Sequence, residues 1–154
     1  MNNKSDRTPL VLTATHSRRP VRLDGEPLAR GGEGTIYRLA GEPPLVAKLY
    51  HRPNRERQDK LAAMLADPPR LPPFERRGRQ YPQITWPIGT LESMDGAFLG
   101  YAMPQLDVDN TVPLEFLLSA RGRRATGLPE DYRFRVKVAY QLAHLVAELH
   151  AHGH

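Results

Sequence analysis

Leu28-Ala29-Arg30-Gly31-Gly32-Glu33-Gly34-Thr35-Ile36-Tyr37, followed after a short polar turn by Leu45-Val46-Ala47-Lys48, is the stretch on which the reading of this chain depends. An apolar residue leads into the glycines, the chain leaves them as Thr-Ile-Tyr-Arg-Leu with strand-like alternation, and Gly41-Glu42-Pro43-Pro44 turns it back into Leu-Val-Ala-Lys. The pattern predicts a β-hairpin entered through a Gly-rich loop. Glycines lack a Cβ, so their backbone N–H groups can approach and point at anionic oxygens. Lys48 adds a cation on the returning strand. Taken alone, the same glycines would also build a plain tight turn, so the surrounding residues have to decide.

The composition narrows the field. The chain has 154 residues, 40% of them apolar and 25% charged, as for one ordinary domain with a real core. No apolar run approaches the roughly 20 residues needed to span a bilayer, and Met1-Asn2-Asn3-Lys4-Ser5-Asp6 lacks the apolar region of a signal peptide. The expectation is a cytoplasmic protein with no membrane partner. There is no cysteine, which excludes disulfides, thiolate nucleophiles and Cys-ligated zinc. The net charge of +5 is gathered in Arg18-Arg19, Arg76-Arg77-Gly78-Arg79 and Arg121-Gly122-Arg123-Arg124, clusters that favour polyanions. They have no interleaved aromatic residues, which argues against a nucleic-acid-binding module. His150, His152 and His154 do not share a helix face, and no Ser-His-Asp or paired-carboxylate arrangement stands out, so neither a metal site nor a hydrolase centre is expected.

Along the chain, residues 1–10 read as a disordered N-terminus. Val11–Thr15 and Val21-Arg22-Leu23 read as strands around a Ser17–Pro20 turn. Asn54 is the expected N-cap of a helix from Glu56 to Ala66 with Leu61, Met64 and Leu65 on one stripe, ended by Asp67-Pro68-Pro69. Residues 67–82, with five prolines, predict an irregular, partly polyproline-like spacer. Ile84–Ile88 and Ala97–Met103 predict a hairpin about Ser93-Met94-Asp95-Gly96. Asp107–Asn110 reads as a turn and helix cap, with contact to ribose hydroxyls the functional alternative. Pro113–Ala120 predicts a short helix, Arg121–Arg124 a basic loop, and Pro129-Glu130-Asp131 the start of a long helix burying Val138, Leu142, Leu145, Val146 and Leu149.

Gly31-x-x-Gly34-x-Ile36 followed by Val46-Ala47-Lys48 resembles the nucleotide-binding lobe of protein kinases, in which a Gly-rich loop covers ATP and a strand lysine holds its phosphates. On that pattern Gly31 and Gly34 match the second and third glycines and Ala29 replaces the first. Gly96-x-Phe98-x-Gly100-Tyr101-x-Met103-Pro104-x-Leu106 is similar to a bacterial Ser/Thr-kinase-like subgroup. The resemblance covers most of residues 20–153. It implies an α+β fold: a small lobe at 11–106, with about five antiparallel strands and one helix, then the first two helices of an incomplete large lobe at 107–154.

The resemblance also implies a site. ATP phosphates would lie under Ala29, Gly31, Gly32, Gly34 and Ile36, with Lys48 on the α/β-phosphates, adenine near Ala47 and Leu106, Met103 as gatekeeper and Gln105 or Leu106 supplying the hinge N–H. Glu56, or else Asp59, would pair with Lys48, although Glu56 equally suits the positive end of its helix. Leu149-His150-Ala151-His152-Gly153 resembles the approach to the kinase catalytic loop, and the segments that would bind Mg²⁺ and orient the acceptor hydroxyl do not follow. The implied function is therefore ATP binding by a catalytically incomplete kinase-like chain. The alternative is a degenerate scaffold that binds a protein and no nucleotide. A partner or a second copy is expected over the last helix.

Overall fold

Among residues 9–14, 17–41, 44–76 and 78–153, which the computed structural model describes, nine strands and four α-helices form an α+β structure. Residues 1–8, Thr15, His16, Glu42, Pro43, Arg77, His154 and the side chain of Asn110 lie outside that description. The chain divides into two compact units. One runs up to Pro68 and includes Thr85–Gln105; the other comprises Pro69–Ile84 and the chain from Leu106 onward. Residues 69–84, within the stretch expected as a lobe at 11–106, belong to the second unit.

The first unit holds β1 (Leu10–Ala14), β2 (Ser17–Val21), β3 (Leu23–Arg30), β4 (Gly34–Leu39), β5 (Leu45–Tyr50), α1 (Arg55–Ala66), β8 (Gly89–Glu92) and β9 (Phe98–Pro104). Its strands form one antiparallel sheet in the order β2-β1-β8-β9-β5-β4-β3. Seven strands replace the expected five. Strands β2 and β3 are the two ends of that order, yet only Arg22 separates them in sequence. The sheet must therefore curl until its edges approach, and its concave face becomes its own core. Leu10, Leu12 and Val21 from one side meet Leu39 and Leu45 from the other, around Ala47, Leu91 and Ala102.

Several expectations need correcting here. Leu10, assigned to the N-terminus, is a core residue. Ser17–Pro20 is strand rather than turn, because an edge strand tolerates a proline and exposed arginines. Strand β3 is irregular at Asp24-Gly25-Glu26-Pro27: the register shifts between Asp24 and Ala29, and Gly25 takes φ +71°. The strand expected at Ile84–Ile88 begins instead at Gly89. Pro87 has no N–H to give a ladder, and Trp86 Nε1 donates to Met64 O at 2.9 Å, at the end of α1. The Ser93–Gly96 turn is present, closed by Gly96 N–H on Ser93 O at 3.0 Å with Gly96 at φ +87°. Helix α1 starts one residue earlier than expected, with Asn54 Oδ1 accepting from Arg57 N–H at 2.9 Å.

The second unit holds β6 (Phe74–Arg76) and β7 (Arg79–Tyr81), a 3₁₀ turn at Val108–Asn110, then α2 (Leu114–Leu118), α3 (Ala120–Ala125) and α4 (Tyr132–Ala151). The expected spacer contains a small hairpin, with Phe74 stacked on Tyr81 at 5.4 Å. The expected basic loop at Arg121–Arg124 is helical, capped by Ser119 Oγ on Gly122 N–H at 2.9 Å. Arg123 turns inward and donates to Leu117 O at 2.7 Å. Helix α4 begins three residues after Pro129, with Asp131 accepting from Phe134 N–H. None of its residues is buried: on the apolar face expected inside, Val138, Leu145 and Leu149 are half-buried and Leu142 and Val146 exposed.

Candidate functional site

Antiparallel register brings the key side chains onto one row. Ala29 pairs with Ile36, Ile36 with Lys48 and Lys48 with Tyr101, so these four stand on the same side of β3, β4, β5 and β9. Beneath the loop lies a hollow of about 380 Å³ lined by residues 29–34, Ile36 and Lys48. The loop is closed by Gly31 N–H on Gly34 O at 3.0 Å, and Glu33 O accepts from His51 N–H at 2.9 Å. Among the described residues the N–H groups of Gly32 and Glu33 have no acceptor at the loop tip.

The glycines play different parts. A Cβ on Gly34 would collide with the Leu49 carbonyl, so this glycine lets β4 close against β5. One on Gly32 would meet nothing, and one on Gly31 only Gly34 O at 3.9 Å. The space around Gly31 and Gly32 is thus open to a ligand, and the cradle suits a phosphate chain beside a lysine.

Lys48 Nζ lies 3.6 Å from Glu33 Oε2. The carboxylate beside it therefore comes from the loop, whereas Glu56 was expected in that place. Glu56 lines a neighbouring cleft of about 420 Å³ with Lys48, Tyr50, Arg57, Lys60 and Tyr101, and Asp59 pairs with Arg55 at 2.8 Å. Ala47 is also displaced from its expected role. Strand alternation points it away from Lys48 into the core, and Val46, paired with Met103, takes the Lys48 side. Gln105 N–H donates to Pro44 O at 3.1 Å, so it is already engaged. Leu106 opens the second unit, with its carbonyl accepting from Val108 N–H at 3.1 Å. Sequence reasoning passed over Glu33, Arg57, Tyr50 and Tyr101. The two tyrosines were legible as residues spaced to share the Lys48 face.

These tyrosines form an aromatic floor. Lys48 Nζ lies 5.6 Å from the Tyr50 ring and 5.8 Å from that of Tyr101. Burial pushes the Tyr101 hydroxyl above its ordinary pKa, helped by the charge on Glu33. Burial and the neighbouring Tyr101 do the same for Tyr50. Both floor residues stay neutral beneath charged neighbours. Elsewhere, His152 Nε2 lies 3.2 Å from Glu148 Oε1, and no three His, Cys, Asp or Glu side chains converge among the described residues.

Fold and site together define a class: an antiparallel sheet whose Gly-rich hairpin and strand lysine face an open hollow. The chain matches no protein-family model and no solved structure. Among curated proteins, it is similar to protein kinase YegI of Escherichia coli O157:H7, 32% identical over 148 residues, which is 95% of this chain and 21% of that protein. It is also similar to protein kinase YegI of Escherichia coli strain K12, 33% identical over 132 residues, 84% of this chain and 19% of that one. The chain spans about a fifth of the length of these relatives. No helix among the described residues is long and apolar enough to cross a membrane.

Proposed function

We propose that this chain is the ATP-binding portion of a protein kinase-like protein of the Ser/Thr phosphotransferase kind, acting in the cytoplasm. The observation that carries the reading is the shared direction of the Gly31–Gly34 loop and Lys48, which bound one open hollow. Phosphates beneath the loop would meet the Gly32 and Glu33 N–H groups and the Lys48 ammonium. Val46 and Met103 on the same face provide an apolar wall toward the end of β9, where the base would lie. The relatives' name, protein kinase, agrees with this chemistry.

ATP supplies the transferable phosphoryl group; the roles assigned to these residues are binding and orientation. Transfer by a complete kinase domain would further need carboxylates that hold Mg²⁺ and a group that orients the acceptor hydroxyl. Calorimetric titration with a non-hydrolysable ATP analogue, with and without Mg²⁺, tests the reading. Saturable binding is expected, weakened at least about tenfold by Lys48→Met. A folded chain that binds no nucleotide would overturn it in favour of a scaffold that binds a protein.

A further inference from the structure

Arg57 stands where a cation is least favoured. The Asn54 cap places it in the first turn of α1, beside the positive end of the helix dipole. Its guanidinium is nevertheless held there. Nη1 donates to Arg52 O at 3.0 Å, and the group lies 4.9 Å from the Tyr50 ring. Lys48 shares that ring, and the side chains of Lys48 and Arg57 are only 25% and 29% exposed. Two cations gathered on one aromatic floor repel each other unless an anion joins them. Glu33 does so: Oε2 lies 3.6 Å from Lys48 and Oε1 3.5 Å from Arg57 Nη2.

We propose that Lys48 and Arg57 form a two-cation clamp for a phosphoryl group, and that Glu33 fills it in the resting chain as an internal anion which the phosphoryl group displaces. The ligand class rests on the reading above; the clamp and its latch rest on the geometry of these three side chains. A carboxylate and a phosphoryl group each offer several oxygens to paired cations. Glu33 is the more easily released of the two, since its side chain is 65% exposed and gives up little on turning into water. Its release also frees the loop tip, which its carboxylate ties to α1. Affinity for phosphate is then set by competition with Glu33.

The test is titration of the intact chain with inorganic tripolyphosphate, and separately with ATP, at low ionic strength. Wild type is compared with Glu33→Gln, Arg57→Met and Arg57→Lys, alongside hydrogen exchange at Gly32–Gly34. Glu33→Gln should bind tripolyphosphate about three- to fivefold more tightly and exchange faster at the loop tip. Arg57→Met should bind about tenfold more weakly, and Arg57→Lys in between. Unchanged exchange in β4 and β5 shows that the variants fold. Equal affinity of wild type and Glu33→Gln, or no tripolyphosphate binding by folded Glu33→Gln, overturns the clamp. ATP binding that needs Lys48 but ignores Glu33 and Arg57 overturns the clamp and leaves the nucleotide reading intact. Tripolyphosphate binding as expected without any ATP binding does the reverse.

Discussion

The two compact units are held together by different physics. Among the described residues every buried apolar side chain lies in the first unit, whereas the most enclosed polar side chain of the second is an arginine, Arg123. The first unit has an interior because its sheet curls upon itself. In the second unit the ties are mainly polar: Arg70 N–H on Glu148 Oε1 at 3.2 Å, Arg124 on Glu130 at 3.0 Å, Gln83 on Pro72 O at 2.7 Å. Surface polar ties each add little net stability, whereas burial of apolar area supplies most of it. Cooperative stability should therefore reside in the first unit, where the glycine loop and Lys48 are mounted.

The strongest challenge to that contrast is a pair of identical truncations. Leu91 is fully enclosed, and Leu91→Ala should cost about 3 kcal/mol in urea unfolding. Leu142 on α4 is 45% exposed, and Leu142→Ala should cost under about 0.5 kcal/mol. A large loss from Leu142→Ala would mean that α4 is buried in solution by a second copy, and its dependence on protein concentration would show it.

A second pair sharpens the contrast within the first unit. Gly34→Ala drives a methyl into the Leu49 carbonyl and should cost about 2 kcal/mol. Gly32→Ala meets open space and should leave the melting temperature nearly unchanged while weakening ATP-analogue binding, since the methyl enters the hollow. Equal stability losses would mean that both glycines serve strand packing alone.

Arg123→Ala probes the second unit by itself. It removes the donor to Leu117 O and the buried Nε that has no partner among the described residues. About 1.5 kcal/mol of local stability should go, read as faster amide exchange confined to α2 and α3. Faster exchange in β5 or β9 would contradict the energetic separation of the two units.

The parts of the fold that depend on local chemistry were legible in the sequence. Asn54 announced α1, Asp95-Gly96 the hairpin between β8 and β9, and the glycines with alternating Thr35-Ile36-Tyr37 the β3–β4–β5 turn-back. What escaped were features set by place in the sheet. Pro20 and its arginines read as a turn, yet β2 is an edge strand with one side unpaired, where a proline is tolerated. The site shows the same division. Period-two alternation alone separates Ala47 from Lys48, while the kinase resemblance drew them together. Glu33 and Arg57 gain meaning only once α1 is laid over Tyr50, which no local pattern fixes. A basic residue three past an N-cap was the available hint, since the helix dipole disfavours it.

The smallest expected effect concerns the aromatic floor. Tyr50 and Tyr101 both ionise less readily folded than unfolded, chiefly because burial disfavours the phenolate. A group whose folded pKa lies above its unfolded one binds its proton more tightly in the native state. Its contribution is then fully present below the unfolded pKa of about 10 and fades as pH rises through the folded value. Urea midpoints should therefore be insensitive to these groups near neutrality and fall above about pH 10. Tyr101→Phe should flatten that alkaline fall while keeping the ring beneath Lys48. An alkaline fall of unchanged steepness in Tyr101→Phe and Tyr50→Phe would assign it to other groups, and the floor would then owe its neutrality to nothing more than ordinary tyrosine chemistry.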